Sequence, residues 1–184
     1  MAFAAAPALF GGPIAYTVTL NGANEVPANA SAGTGSGFVI FDDVANTMYI
    51  TFTFSGLTGT TAASHIHCCT TVAGDGTASV ATQTPSFIGF PLGVKSGSFT
   101  KTYDLTLAST YRAGFVTANG NSVSASEAAL IAGAAAGKAY LNVHTNTFPG
   151  GEIRGFLAPV PEPATFAIAG LALAGLVALR RKTV

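Results

Sequence analysis

The chain has 184 residues, enough for one ordinary domain plus an appendage. Hydrophobic residues make up 49% and charged residues 9%, against roughly 25% charged in a typical soluble domain. Lys+Arg and Asp+Glu balance at 8 each, which excludes the basic footprint of a nucleic-acid binder. The charges are unevenly placed: no Lys or Arg precedes Lys95, and Arg180, Arg181 and Lys182 sit together at the end.

At the front, residues 1–15 are small and apolar but carry no positive n-region, so they read as the residue of a signal peptide whose start is missing. A domain is expected over 16–158. Its strand signals recur at short intervals. Tyr16 to Leu20 alternates, and Phe38 to Phe41 is a compact apolar run. From Met48 to Phe54, Met48, Ile50, Phe52 and Phe54 take one face, with Tyr49, Thr51 and Thr53 opposite. Phe99 to Leu107, Tyr140 to His144 and Glu152 to Leu157 complete the set, with Gly and Asn/Asp punctuation between. Ala73 to Gly97, which carries Pro85 and Pro91, reads as a long loop. Ser124-Ala125-Ser126-Glu127 has capping-box spacing ahead of an Ala/Leu run that stops at Gly137, and Leu107 to Thr117 suggests a second short helix. The expected fold is all-β: an antiparallel Greek-key sandwich or barrel with one or two short helices.

All three histidines fall at strand-like positions: His65 and His67 around Ile66, and His144 after Val143. Period-two geometry puts His65 and His67 on one face, with Ile66 directed to the core. Leu141 and Val143 point inward by the same logic, so Asn142 and His144, like Glu152 and Arg154 flanking Ile153, are expected to face outward. Three imidazoles can hold copper or zinc, with Cys69 as a fourth ligand if the strand continues. The competing reading is structural, with Asn142, Glu152 and Arg154 forming a buried salt-bridged network and the histidines making hydrogen bonds. Cys68 and Cys69 are adjacent and have no distant mate, which excludes a loop-closing disulfide. A vicinal disulfide, a metal site and an intermolecular cross-link stay open. Glu25 has no partner carboxylate nearby in sequence and reads as a hydrogen-bond acceptor. No nucleophile elbow, P-loop, dinucleotide fingerprint or His-Glu-x-x-His is present, which leans away from an enzyme.

Ala164 to Leu179 is an uncharged apolar run of about 24 Å at the helical rise, followed by the basic stop, and is expected to span a membrane with residues before Pro161 outside. Val160-Pro161-Glu162-Pro163, this apolar span and the basic cluster together resemble the PEP-CTERM sorting signal of Gram-negative bacteria. The resemblance implies an exported protein. Its tail would be held transiently in the inner membrane and processed by exosortase, and the mature form delivered to the cell surface or to an exopolysaccharide matrix, with polysaccharide or matrix proteins as partners.

The stretch between the ends resembles the CHRD domain. Asn24-Glu25-Val26-Pro27, His65-Ile66-His67, Asn142-Val143-His144-Thr145 and Gly151-Glu152-Ile153-Arg154-Gly155 occur in that family's order, from Tyr16 to Leu157. The family commonly continues with glycine after His-Ile-His, where this chain has Cys68-Cys69. The resemblance implies an extracellular binding or structural role. Gly56 to Gly59 leading into His65-Ile66-His67 is also similar to the copper-site strand of copper/zinc superoxide dismutases. His65, His67 and His144 match its ligand pattern, whereas the metal-bridging histidine, the zinc ligands and the later arginine motif have no counterparts.

Overall fold

The computed structural model describes residues 11–160. Residues 1–10 of the expected leader, Pro161, Glu162 and Pro163 of the sorting motif, the apolar span 164–179 and the basic stop expected at Arg180, Arg181 and Lys182 lie outside the described residues. Among the described residues no helix is long and apolar enough to cross a membrane.

Strands β1 (Pro13–Asn21), β2 (Thr34–Asp42), β3 (Thr47–Ser55), β4 (Thr61–His67), β5 (Gly97–Asp104), β6 (Tyr140–Thr145), β7 (Ile153–Phe156) and β8 (Ala158–Pro159) form one sheet. Its order is β4-β6-β7-β1-β2-β3-β5, with β8 added beside β1, and every pairing is antiparallel. The expected all-β antiparallel fold with short helices is present, as one curled sheet with helices α1 (Ala113–Ala118) and α2 (Val123–Ala135) inserted between β5 and β6. β1 begins at Pro13, which pairs with Asp42, so the sheet reaches three residues ahead of the expected domain start.

Alternation decides what the sheet encloses. Tyr16, Val18 and Leu20 of β1, Val39 and Phe41 of β2, and Met48, Ile50, Phe52 and Phe54 of β3 are all buried on one face. Phe52 lies 5.9 Å, centroid to centroid, from both Phe90 and Phe99. Gly37 of β2 sits over Phe52: a Cβ there would run into the Thr51 carbonyl and the Phe52 backbone, so glycine is what lets the ring close on the sheet. The helix begins two residues before the capping-box expectation. Ser122 is the N-cap, accepting from the Ala125 N–H, and Gly137 at φ 67° follows the C-terminus.

The expected loop from Ala73 to Gly97 is an ordered strap. Cys68 N–H donates to Ser79 O, Ala81 N–H to Ile66 O and Phe87 N–H to Ser64 O, so residues 79–87 run along the otherwise free edge of β4. Ala81, Phe87 and Phe90 from the strap enter the core. This strap also corrects the orientation expected for the polar residues. They do lie on the face opposite the apolar core, but that face is covered: His65, His67, Asn142, His144 and Arg154 are all buried. Side-chain period reports which side of a sheet a residue takes, not whether that side meets water.

Replacing Phe52 with alanine is predicted to cost about 3–5 kcal/mol in denaturant unfolding, through lost contacts and a cavity. The same change at Phe38, 49% exposed on the outer face, is expected to stay within about 0.5 kcal/mol.

Candidate metal centre

The outer face of β4, β6 and β7 is a small lattice set by register. His65 faces Asn142, which faces Arg154; His67 faces Tyr140, which faces Phe156; and His144 stands opposite Ala63. The three histidine rings meet at centroid separations of 4.7 Å (His65–His144), 4.9 Å (His65–His67) and 5.8 Å (His67–His144). One ring nitrogen from each lies within 4.8 Å of the other two. An ion with metal–nitrogen bonds of about 2.0–2.1 Å needs nitrogen pairs at about 3.3–3.6 Å, a closure within reach of small side-chain rotations.

Backbone carbonyls decide which nitrogens face inward. A carbonyl can only accept, so the 2.8 Å contact of His67 Nδ1 with Ala78 O and the 3.0 Å contact of His144 Nδ1 with Pro149 O place the proton on Nδ1 in both rings. The Pro85 carbonyl attends His65 more loosely. What remains is His65 Nδ1, His67 Nε2 and His144 Nε2, each buried and without a hydrogen-bond partner. Carbonyls that fix the ring orientation and tautomer from behind are the usual outer shell of a histidine metal site.

The same burial keeps the rings neutral. Desolvation first, then the neighbouring His144 and His67 and the Arg112 charge, bring His65 down to about 3. Desolvation brings His67 to about 4 against the opposing Ala78 hydrogen bond, and it lowers His144 against the bond to Pro149. Uncharged imidazoles with free lone pairs are ligands already in their binding state.

Beside the histidines stands a second polar group. Arg154 Nε is 3.8 Å from Glu25 Oε2 and donates to Asn24 O, while Nη1 donates to Gly76 O at 2.9 Å. The guanidinium lies 4.7 Å over the Tyr140 ring, which in turn stacks 4.7 Å from His67. Burial raises Glu25 to about 7 despite the arginine. Gly151, at φ 135°, leaves the space into which Asn142 Nδ2 and the Glu25 carboxylate project.

Not every residue of the expected constellation is part of this arrangement. Glu152 does not join Arg154. It turns to the end of the sheet, where its carboxylate accepts from Gly59 N–H, Thr58 N–H, Ser31 Oγ and Thr145 Oγ1, and those bonds hold its pKa below the ordinary value even though burial works to raise it. It anchors the loop between β3 and β4. Strand β4 ends at His67, so alternation does not carry on to Cys69; the two cysteine sulfurs are bonded to each other and rest against Gly133 of α2, where a Cβ would collide with both. Arg112, Tyr140 and the carbonyls of Ala78, Pro85 and Pro149 were not legible as site residues. Only Pro149 gave a signal, standing in a turn five residues after His144.

Comparison with known families decides the lineage. The CHRD domain profile matches residues 16–157. The chain belongs to the CHRD domain family. The PEP-CTERM protein-sorting motif matches residues 159–182, directly behind it, and implies an exported protein processed by exosortase. No curated protein matches the chain, and no solved structure does. The histidine, asparagine and arginine motifs of this CHRD domain are thus the buried polar face of β4, β6 and β7.

The neutral histidines make stability depend on pH. Their folded values lie below the free value of 6.5, so the unfolded chain takes up more protons as pH falls from about 6.5 towards 4. Their contribution is full above 6.5 and shrinks below it, by up to about 1.4 kcal/mol per pH unit for each ring. Glu25 acts oppositely: its raised value gives stability that is present below 4.5 and lost as pH rises through about 7. Three rings outweigh one carboxyl, so the metal-free protein is predicted to be less stable to urea at pH 5 than at pH 7. The drop should be larger in Glu25→Gln, provided that variant is folded at pH 7. Equal stability at the two pH values in the parent protein would contradict it.

Proposed function

We propose that the mature protein is a non-enzymatic, metal-binding protein of the cell surface or extracellular matrix, holding one copper or zinc ion on His65, His67 and His144. The observation that carries this reading is the convergence of three buried, unpartnered imidazole lone pairs. Each such acceptor left without a partner costs about 1–3 kcal/mol. A water molecule has two hydrogens to offer, so a single water leaves one of the three lone pairs unsatisfied, whereas one cation takes all three. The Ala78 and Pro149 carbonyls behind His67 and His144 support the reading, since they fix the tautomer that leaves both Nε2 lone pairs free for an ion.

The sorting motif supports the placement of this centre outside the cytoplasm. In this reading the span 164–179 holds the chain in the inner membrane until exosortase acts near Val160 to Pro163, with Arg180, Arg181 and Lys182 left on the cytoplasmic side. The vicinal Cys68–Cys69 disulfide suits an oxidising compartment and pins the end of β4 against α2.

Exported protein purified from a host with exosortase is predicted to carry close to one equivalent of copper or zinc by elemental analysis. The His65→Ala/His67→Ala double variant should carry less than roughly a tenth of that, since two of three ligands are gone. Equal metal in both would remove the centre. Mass spectrometry of the surface form is predicted to find the chain ending near Pro163; an intact C-terminal Val184 would contradict the processing.

A further inference from the structure

The donors at this centre are all uncharged, and that bears on which ion the site takes. His65 Nδ1, His67 Nε2 and His144 Nε2 are neutral nitrogens, and Asn142, facing His65 across the β4–β6 pairing, is a neutral amide. Among the described residues no carboxylate or thiolate joins the cluster. The two sulfurs nearest in sequence are bonded to each other and face Gly133. An ion seated here keeps its whole charge.

We infer that the centre is built for monovalent copper in preference to divalent zinc, an inference that rests on the metal-binding reading above. The desolvation cost of a buried ion grows with the square of its charge, and neutral nitrogens return part of it by coordination but cancel none of the charge, so a divalent ion leaves the larger uncompensated charge in a buried site. The fixed charges that act on the His65 and His67 rings are positive. Arg154 is buried two rings away, its guanidinium over Tyr140 and Tyr140 stacked on His67, and Arg112 also acts on the His65 and His67 rings. The acid close to them, Glu25, is engaged with Arg154. Finally, the chain offers three converging imidazoles; three nitrogens around one point complete a trigonal set for monovalent copper, whereas zinc on three imidazoles takes a water as its fourth ligand, which a buried centre has to admit.

The test is a pair of competition titrations on the purified full-length protein under anaerobic conditions. Copper(I), added as its acetonitrile complex, competes against bicinchoninate, and zinc(II) competes against a chromophoric chelator. Copper(I) is expected to bind at one equivalent and at least roughly a hundredfold more tightly than zinc(II). Arg112→Glu, a change at an exposed position, is expected to narrow the gap severalfold, because a charge change acts twice as strongly on a divalent ion. Zinc(II) binding as tightly as copper(I), or a gap that Arg112→Glu leaves unchanged, would overturn the inference while leaving a metal centre in place. If neither ion binds, or if binding persists in His65→Ala/His67→Ala, the metal-binding reading itself fails.

Discussion

The site depends on one constraint: three imidazole rings are buried on the outer face of a sheet, and backbone carbonyls hold two of them in a fixed tautomer. Burial removes the water that would otherwise satisfy the inward nitrogens, and the carbonyls of Ala78 and Pro149 occupy the outward ones. Neither carbonyl belongs to a strand. One comes from the strap along β4 and the other from the turn between β6 and β7, so the geometry of the centre is set by the connections and only carried by the sheet. Turning the His67 or His144 ring over would break its hydrogen bond to the carbonyl, so each keeps its Nε2 on the inner side while small rotations stay open.

Other parts of the molecule serve that arrangement. The apolar face of β1, β2, β3 and β5 packs Phe52, Phe54, Phe90 and Phe99 into an aromatic core and gives the curled sheet its stability. Glu152 closes the end of the sheet by tying the Thr58–Gly59 turn to Thr145, the residue after His144. Arg154 ties the other side, joining Asn24, Glu25 and Gly76 to the Tyr140–His67 stack. The polar residues of this CHRD domain thus have distinct tasks: histidines that converge, an arginine that gathers loops, and a glutamate that fixes a turn.

Much of the fold was legible in the sequence because period-two alternation is a local signal. Met48 to Phe54 announced β3 within one residue at each end, and Gly137 marked the helix stop at its left-handed position. The facing of His65 and His67 away from Ile66 followed from the same period. The exclusion of water from that face did not, because it depends on Ser79 to Phe87 folding back along β4, and a stretch of Ser, Thr, Gln and Pro with no alternation reads as loop. The pairing of Arg154 with Glu25 was hidden for a similar reason. The partners are far apart in the chain, and Glu152 stands much closer to Arg154 in sequence yet turns to the opposite task. Strand order was likewise out of reach: β4 neighbours β6 and not β3 or β5, a fact of topology that no local pattern carries.

The most direct test of the account is long-range proton–nitrogen NMR on protein labelled at its three histidines, recorded at pH 6 before and after one equivalent of metal. The metal-free spectrum should show three neutral rings, with the proton on Nδ1 in His67 and His144, the tautomers that leave their Nε2 atoms free. Added metal should then shift those two Nε2 signals and His65 Nδ1 together. A charged imidazolium at pH 6, or a metal that perturbs fewer than all three rings, would contradict it.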